Sequence, residues 1–186
     1  MSKINHTRFE ELTLSTQPIY QGKVISLQVD TVRLPNGNTA TREIVKHPGA
    51  VAVLALVEGK MLVVEQYRKA LERHQIEIPA GKLEAGENPL DAAKRELEEE
   101  TGYRCDTLKL ICSFYTSPGF ADEVIHLYVG EHLIKGDANL DEDEFLDVES
   151  ITLEQAQQYM REGQISDAKT ITAIYAWQVY KLTGSF

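Results

Sequence analysis

The chain has 186 residues, a formal net charge of −10 and a hydrophobic fraction of 42%, which suits one domain, or one domain with a small appendage, built on a real core. The negative balance disfavours a general nucleic-acid surface, and no apolar run is long enough to span a bilayer. The start MSKINHTRFEEL is polar and charged and does not read as a secretory signal, so a cytoplasmic protein is expected.

Taken in order, Ile25, Leu27 and Val29 alternate with Ser26, Gln28 and Asp30, the period-two signal of a half-buried strand. Leu34-Pro35-Asn36-Gly37 supplies a turn, and from about Thr39 to Val45 a second strand returns antiparallel to the first. Residues 1–45 are therefore expected to form a small N-terminal strand unit, lying beside a main domain over 46–186 or on a second subunit. His47-Pro48-Gly49 breaks the chain before Ala50 to Val57, an almost wholly apolar run of the kind a central strand carries. Glu58-Gly59-Lys60 turns into a strand from Met61 to Tyr67, and Ile76-Glu77-Ile78 is a short extended piece ended by Pro79.

A loop holding Gly81 and Gly86 then feeds a helix from Pro89 to Thr101. Asn88 is a good N-cap, Pro89 suits the first turn, Asp91 complements the positive end, and Gly102 fits the left-handed position after the last turn. Strands follow at Leu108 to Phe114 and Val124 to Val129, separated by the loop Tyr115 to Glu123. Cys105 and Cys112 show no metal or redox spacing and read as buried thiols. After an acidic loop from Asp137 to Glu144, apolar residues at three- and four-residue spacing predict helices over Leu153 to Glu162 and Asp167 to Leu182. The whole reads as an α/β (α+β) protein, a mixed sheet sandwiched between helices and preceded by a small strand unit.

On the helix from Pro89 to Thr101, Glu96, Glu99 and Glu100 share one arc, while Leu90, Ala93 and Leu97 form the apolar arc beside it. One arc packs and its neighbour gathers carboxylates. Like charges on adjacent turns repel by about 0.2–0.5 kcal/mol per pair, so such a face calls for a cation, and oxygen donors favour hard Mg²⁺ or Mn²⁺.

The spacing is also that of a known signature. A glycine, five residues, a glutamate, seven residues and then Arg-Glu-apolar-x-Glu-Glu-x-Gly-apolar are met by Gly81, Glu87, Arg95, Glu96, Leu97, Glu99, Glu100, Gly102 and Tyr103. This resembles the Nudix hydrolases, which cut nucleoside diphosphates linked to another moiety, and it implies a Nudix-type mixed sheet between helices. The resemblance implies metal ligands at Glu96, Glu99, Glu100 and the carbonyl of Ala80, with Arg95 holding the glutamates in place. Glu87 reads as a loop-stabilising residue, and Glu84, outside the fixed positions, as solvated.

Features outside the motif resemble the ADP-ribose pyrophosphatase subgroup: Pro118, fifteen residues after Tyr103 in Ser117-Pro118-Gly119-Phe120, together with Glu65-Gln66-Tyr67-Arg68 and Arg42-Glu43. This implies a homodimer that cleaves ADP-ribose to AMP and ribose 5-phosphate with Mg²⁺, contacting substrate through Arg42, Arg68, Gly119 and Glu123. The catalytic base would lie in Leu140-Asp141-Glu142-Asp143-Glu144-Phe145, with Glu142 as the base and Glu144 in support. Other nucleoside diphosphate sugars, oxidised nucleotides, or a regulator that binds nucleotide sugars with little turnover remain alternatives. Near Gly22-Lys23-Val24-Ile25 the chain carries no aromatic where relatives can stack adenine.

Overall fold

The computed structural model describes residues 8–136 and 145–186. They divide into two compact units, one running through Pro48 and including Tyr115–Glu123, the other made of Gly49–Phe114 and Val124–Phe186.

The first unit is an antiparallel sheet of β1 (Leu12–Gln21), β2 (Ser26–Arg33) and β3 (Thr39–Lys46), in that order. β2 and β3 pair in continuous register from Ser26↔Lys46 to Arg33↔Thr39. The turn between them is closed by Gly37 N–H donating to Leu34 C=O at 2.9 Å, with Gly37 at φ +87°, where an L side chain would be strained. β1 escapes the sequence pattern for a physical reason. Its pairing with β2 shifts register at Thr13/Ser15 and again at Pro18/Tyr20, and every one of its residues is exposed, so no alternation survives. Burial in β2 also departs from expectation: Asp30 and Val32 are the buried residues, while Leu27 and Val29 are half-buried. The segment Tyr115–Glu123 joins this unit through β3, with Val45 N–H donating to Phe120 C=O at 2.8 Å and His47 N–H to Asp122 Oδ1 at 2.8 Å.

The second unit contains β4 (Ala50–Val57), β5 (Lys60–Arg68), β6 (Arg73–Glu77), β7 (Ala80–Lys82), α1 (Pro89–Thr101), β8 (Tyr103–Arg104), β9 (Leu108–Tyr115), β10 (Val124–Gly130), β11 (Ile134–Lys135), β12 (Leu146–Ile151), α2 (Leu153–Glu162) and α3 (Ala168–Thr183). The main sheet runs β12-β5-β4-β10-β9, with β6 beside β5 and β7 beside β4. β4 and β10 are parallel while β5 and β7 are antiparallel to β4, so the sheet is mixed. β12, an edge strand open to water, alternates Leu146 and Val148 with Asp147 and Glu149 over only four residues and buries only Ile151.

β4 shows why a strand can be apolar throughout. Val51, Val53 and Ala55 pack in one cluster with Ala92, Ala93 and Leu97 of α1. Ala52, Leu54 and Leu56 pack in another with Ala156 of α2 and Ala173, Ile174 and Trp177 of α3. A sheet covered on both faces needs apolar residues at both parities, and each fully buried Leu contributes about 2 kcal/mol. Cys105 is buried, but Cys112 is half-buried, because β9 ends the sheet. Among the described residues no helix is long and apolar enough to cross a membrane.

Candidate active site

α1 begins and ends where its punctuation dictates. Asn88 accepts from Leu90 N–H at 2.9 Å, and Gly102, at φ +71°, donates its N–H to Glu98 C=O at 2.8 Å. The caps fix its ends, and the packing of Ala92, Ala93 and Leu97 against Val51 and Val53 of β4 sets its rotation and so where its carboxylates lie.

Two of them are buried. Glu96 is 8% exposed and Glu100 only 3%. Glu100 Oε2 accepts from the backbone N–H of Ala80 at 3.0 Å, which ties the helix to β7. Glu96 lies over Gly81: a Cβ built there would sit 1.9 Å from the Glu96 carboxyl carbon. The loop glycine of the motif is therefore required for space, since only a residue without a side chain lets the glutamate approach the strand.

Arg95 gathers the neighbouring acids. Its Nε and Nη2 donate to the two oxygens of Glu87 at 2.9 and 3.0 Å, its Nη1 to Glu96 Oε1 at 2.8 Å and Glu99 Oε2 at 2.9 Å, and its Nη2 reaches Lys82 C=O at 3.3 Å. A guanidinium has five donors in a fixed fork, and here one fork ties the loop to the carboxylate face. Its hydrogen bonds to Glu87, and then those to Glu96 and Glu99, hold Arg95 protonated far above the ordinary range. In return Arg95, and next the Glu84 N–H, lower the pKa of Glu87. Glu84 is exposed and meets Glu87 through its backbone, its N–H donating to Glu87 Oε2 at 3.0 Å and its C=O accepting from Glu87 N–H at 3.1 Å.

Among the described residues, no three Asp, Glu, His or Cys side chains converge closely enough to enclose a cation as they stand. The donor set nevertheless suits one. Glu96, Glu99 and Glu100 supply only hard oxygens and two of the three are buried, a donor chemistry that fits a divalent metal.

Arg68 belongs to the same unit and is not isolated. Its Nε and Nη2 form a bidentate pair with Glu77 at 2.7 and 2.6 Å, and Lys169 of α3 also donates to Glu77. Sequence reasoning did not assign Glu77 or Lys169 to the site. The available signal was a carboxylate in the middle of the apolar Ile76-Glu77-Ile78 run.

Arg42, Gly119 and Glu123 lie in the other unit. Arg42 forms a bidentate pair with Glu11, Nε to Oε2 at 2.9 Å and Nη2 to Oε1 at 2.5 Å, with its side chain 42% exposed. Glu123 accepts from Thr116 Oγ1 at 2.5 Å and has His47 Nε2 at 3.6 Å. Gly119 sits in the Ser117–Phe120 turn, with open space where a side chain would be. Glu142 and Glu144 lie outside the described residues.

The model of the NUDIX domain matches residues 45–173, and that of the nucleoside diphosphate sugar hydrolase N-terminal domain matches residues 11–45. The chain is 57% identical over 174 residues to the methanol dehydrogenase activator of Bacillus methanolicus, covering 92% of this chain and 94% of that protein. It is 54% identical over 173 residues to the ADP-ribose pyrophosphatase of Bacillus subtilis (strain 168), covering 91% and 94%. The crystal structure of an ADP compounds hydrolase shares the fold, with a TM-score of 0.83 at 18% identity over 94% of this chain and 96% of that one.

Proposed function

The chain belongs to the Nudix hydrolase family, and from that premise we propose that it hydrolyses the pyrophosphate of ADP-ribose to AMP and ribose 5-phosphate. The observation that carries this reading is the 54% identity to an ADP-ribose pyrophosphatase across nearly the full length of both chains. The match of residues 11–45 to the N-terminal domain of nucleoside diphosphate sugar hydrolases supports the same substrate class.

Glu96, Glu99, Glu100 and the carbonyl of Ala80 would hold Mg²⁺, or Mn²⁺ in its place. Such a cation neutralises diphosphate charge and favours in-line attack on phosphorus. Arg95 keeps Glu96 and Glu99 aligned through its 2.8 and 2.9 Å hydrogen bonds, so that they need not reorganise during the reaction. Arg68 and Arg42 donate to phosphate or ribose oxygens, Glu123 accepts from ribose hydroxyls, and Gly119 lets the substrate approach its turn closely. Glu142 takes the proton of the attacking water, with Glu144 beside it in the chain in support. Since a base acts in the transition state, Glu142→Gln should lower kcat by about two to four orders of magnitude and leave substrate affinity nearly unchanged. An unchanged rate would move the base role to Glu144.

The working form is a homodimer whose N-terminal strands complete the partner's site, a reading supported by Leu12, Leu14, Ile19 and Tyr20 standing exposed on β1. Its compartment is the cytoplasm, consistent with two cysteines that form no disulfide.

The test supplies ADP-ribose and Mg²⁺ to the purified protein and follows AMP and ribose 5-phosphate. Their equimolar release is expected, and no release of AMP overturns the assignment. Cleavage of other nucleoside diphosphate sugars instead would keep the chemistry and change the substrate. The relative at 57% identity favours a second reading, activation of a dehydrogenase. Glu96→Gln separates the two: activation that survives the loss of hydrolysis would mean that this chain acts by docking or ligand binding rather than by turnover.

A further inference from the structure

Glu77 ends β6, three residues before Ala80, and is 2% exposed. A carboxylate so deeply buried needs cationic partners, and one well-placed cation would neutralise it. Glu77 has two. Arg68 grips both its oxygens, and Lys169 binds Oε2 as well as Asp167 Oδ1, the latter at 3.0 Å.

The arrangement exceeds what fastening this stretch of chain requires. Neutral bonds already tie it down: Ile76 N–H donates to Gln164 C=O at 3.0 Å and Ser166 Oγ to Gln75 Oε1 at 2.5 Å, with Gln164 and Ser166 both in the α2–α3 connection, and Ile78 N–H, just after β6, donates to Thr170 Oγ1 of α3 at 3.0 Å. A buried ion pair adds little to stability over a packed apolar substitute, so its contribution is better sought in what it orients.

Arg68 is the oriented group. Its Nε–Nη2 edge is fully occupied by Glu77, and among the described residues its Nη1 makes no hydrogen bond. Its side chain is 40% exposed, whereas that of Glu77 is 3% exposed. One edge of the guanidinium is therefore anchored in the interior and the other is left to solvent. The charge of Glu100 adds to the field on Arg68, after the hydrogen bonds and charge of Glu77, which places the pair within electrostatic reach of the carboxylate face.

We propose that Glu77 is a positioning residue, holding Arg68 by its Nε–Nη2 edge so that Nη1 meets an anionic oxygen of the diphosphate, with Lys169 keeping Glu77 in place. The proposal rests on the pyrophosphate-substrate reading above. A planar fork fixed at one edge donates from the other without losing rotamer freedom on binding, so the gain appears in substrate affinity.

A double-mutant cycle on Glu77→Gln and Arg68→Ala tests it, with kcat and KM measured for ADP-ribose in Mg²⁺. Glu77→Gln should raise KM about tenfold and change kcat less than about threefold, since it removes a hydrogen bond to a charged group that acts mainly on binding. Arg68→Ala should raise KM at least as much, and the double variant should be no worse than Arg68→Ala alone. An unchanged KM in Glu77→Gln, or effects that multiply in the double variant, would overturn the proposal, because a purely structural Glu77 would act whether or not Arg68 is present. If Glu77→Gln does not fold, Glu77→Asp keeps the charge, withdraws the carboxylate by one methylene and carries the same cycle. If the parent protein cleaves no nucleoside diphosphate sugar, the substrate reading fails by itself. The cycle is then read on the dissociation constant for inorganic pyrophosphate, where additive effects, or no binding by the parent, overturn the positioning role as well.

Discussion

Gly81 shows how little room separates the loop from the carboxylate face. With the Glu96 carboxyl carbon 1.9 Å from the place a Cβ would occupy, Gly81→Ala must displace the glutamate or the strand beneath it. The constraint is space rather than backbone conformation, because Gly81 is not among the positive-φ glycines. β7 is paired to β4 through Val51↔Gly81, so the side chain is the part that moves. Gly81→Ala should cost about 1–3 kcal/mol of stability through overpacking and, on the proposed role of Glu96 as a metal ligand, lower kcat/KM about a hundredfold, since a group misplaced by about an ångström loses most of its benefit. Thermal unfolding and steady-state kinetics check the two effects separately. A variant with full activity would show that the position of Glu96 does not limit the reaction.

At the scale of elements, Glu77 couples β6 to α3 and makes that junction sensitive to acid. Burial pushes its carboxyl up, but the hydrogen bonds from Arg68 and then the charge of Lys169 outweigh this and bring it from 4.5 down to about 2. A pKa lower in the folded than in the unfolded chain contributes stability that is complete above the unfolded value and is lost as pH falls through the folded one. The contribution, about 3 kcal/mol at most, should therefore disappear between about pH 5 and pH 2. Urea unfolding of the parent and of Glu77→Gln across that range should show their stability difference narrowing as pH falls. A constant difference would mean that the carboxylate is not the titrating group.

The same elements show what was legible. α1 was readable to the residue because Asn88, Pro89 and Gly102 are local signals, and β4 because burial on both faces leaves an uninterrupted apolar run. β1 and β12 were not: register shifts interrupt β1, and in β12 the alternation of Leu146 and Val148 with Asp147 and Glu149 spans only four residues beside an acidic run and buries only Ile151. Within the site, helical spacing reveals which carboxylates share a face, but Glu77 and Lys169 are 92 residues apart, and no local spacing encodes such a contact.

On the scale of the whole molecule, the charge of −10 means that any salt weakens general self-repulsion, so stabilisation by Mg²⁺ must be separated from screening. A cation that binds the folded chain at the carboxylate face stabilises by mass action, about 1.4 kcal/mol at ten times its dissociation constant. For a protein of this size that corresponds to a rise in Tm of about 3–6 °C. NaCl at matched ionic strength screens the distributed charge without occupying an oxygen-ligand site, and should produce a smaller shift. The double variant Glu96→Gln with Glu100→Gln should lose the Mg²⁺-specific part and keep the part shared with NaCl. Glu98→Gln removes an acid from the same helix whose partner is the exposed Arg104, at 2.6 Å, and should leave the Mg²⁺-specific shift intact. Equal shifts in the parent and the double variant would place the cation elsewhere on the acidic surface, whatever the rate of hydrolysis.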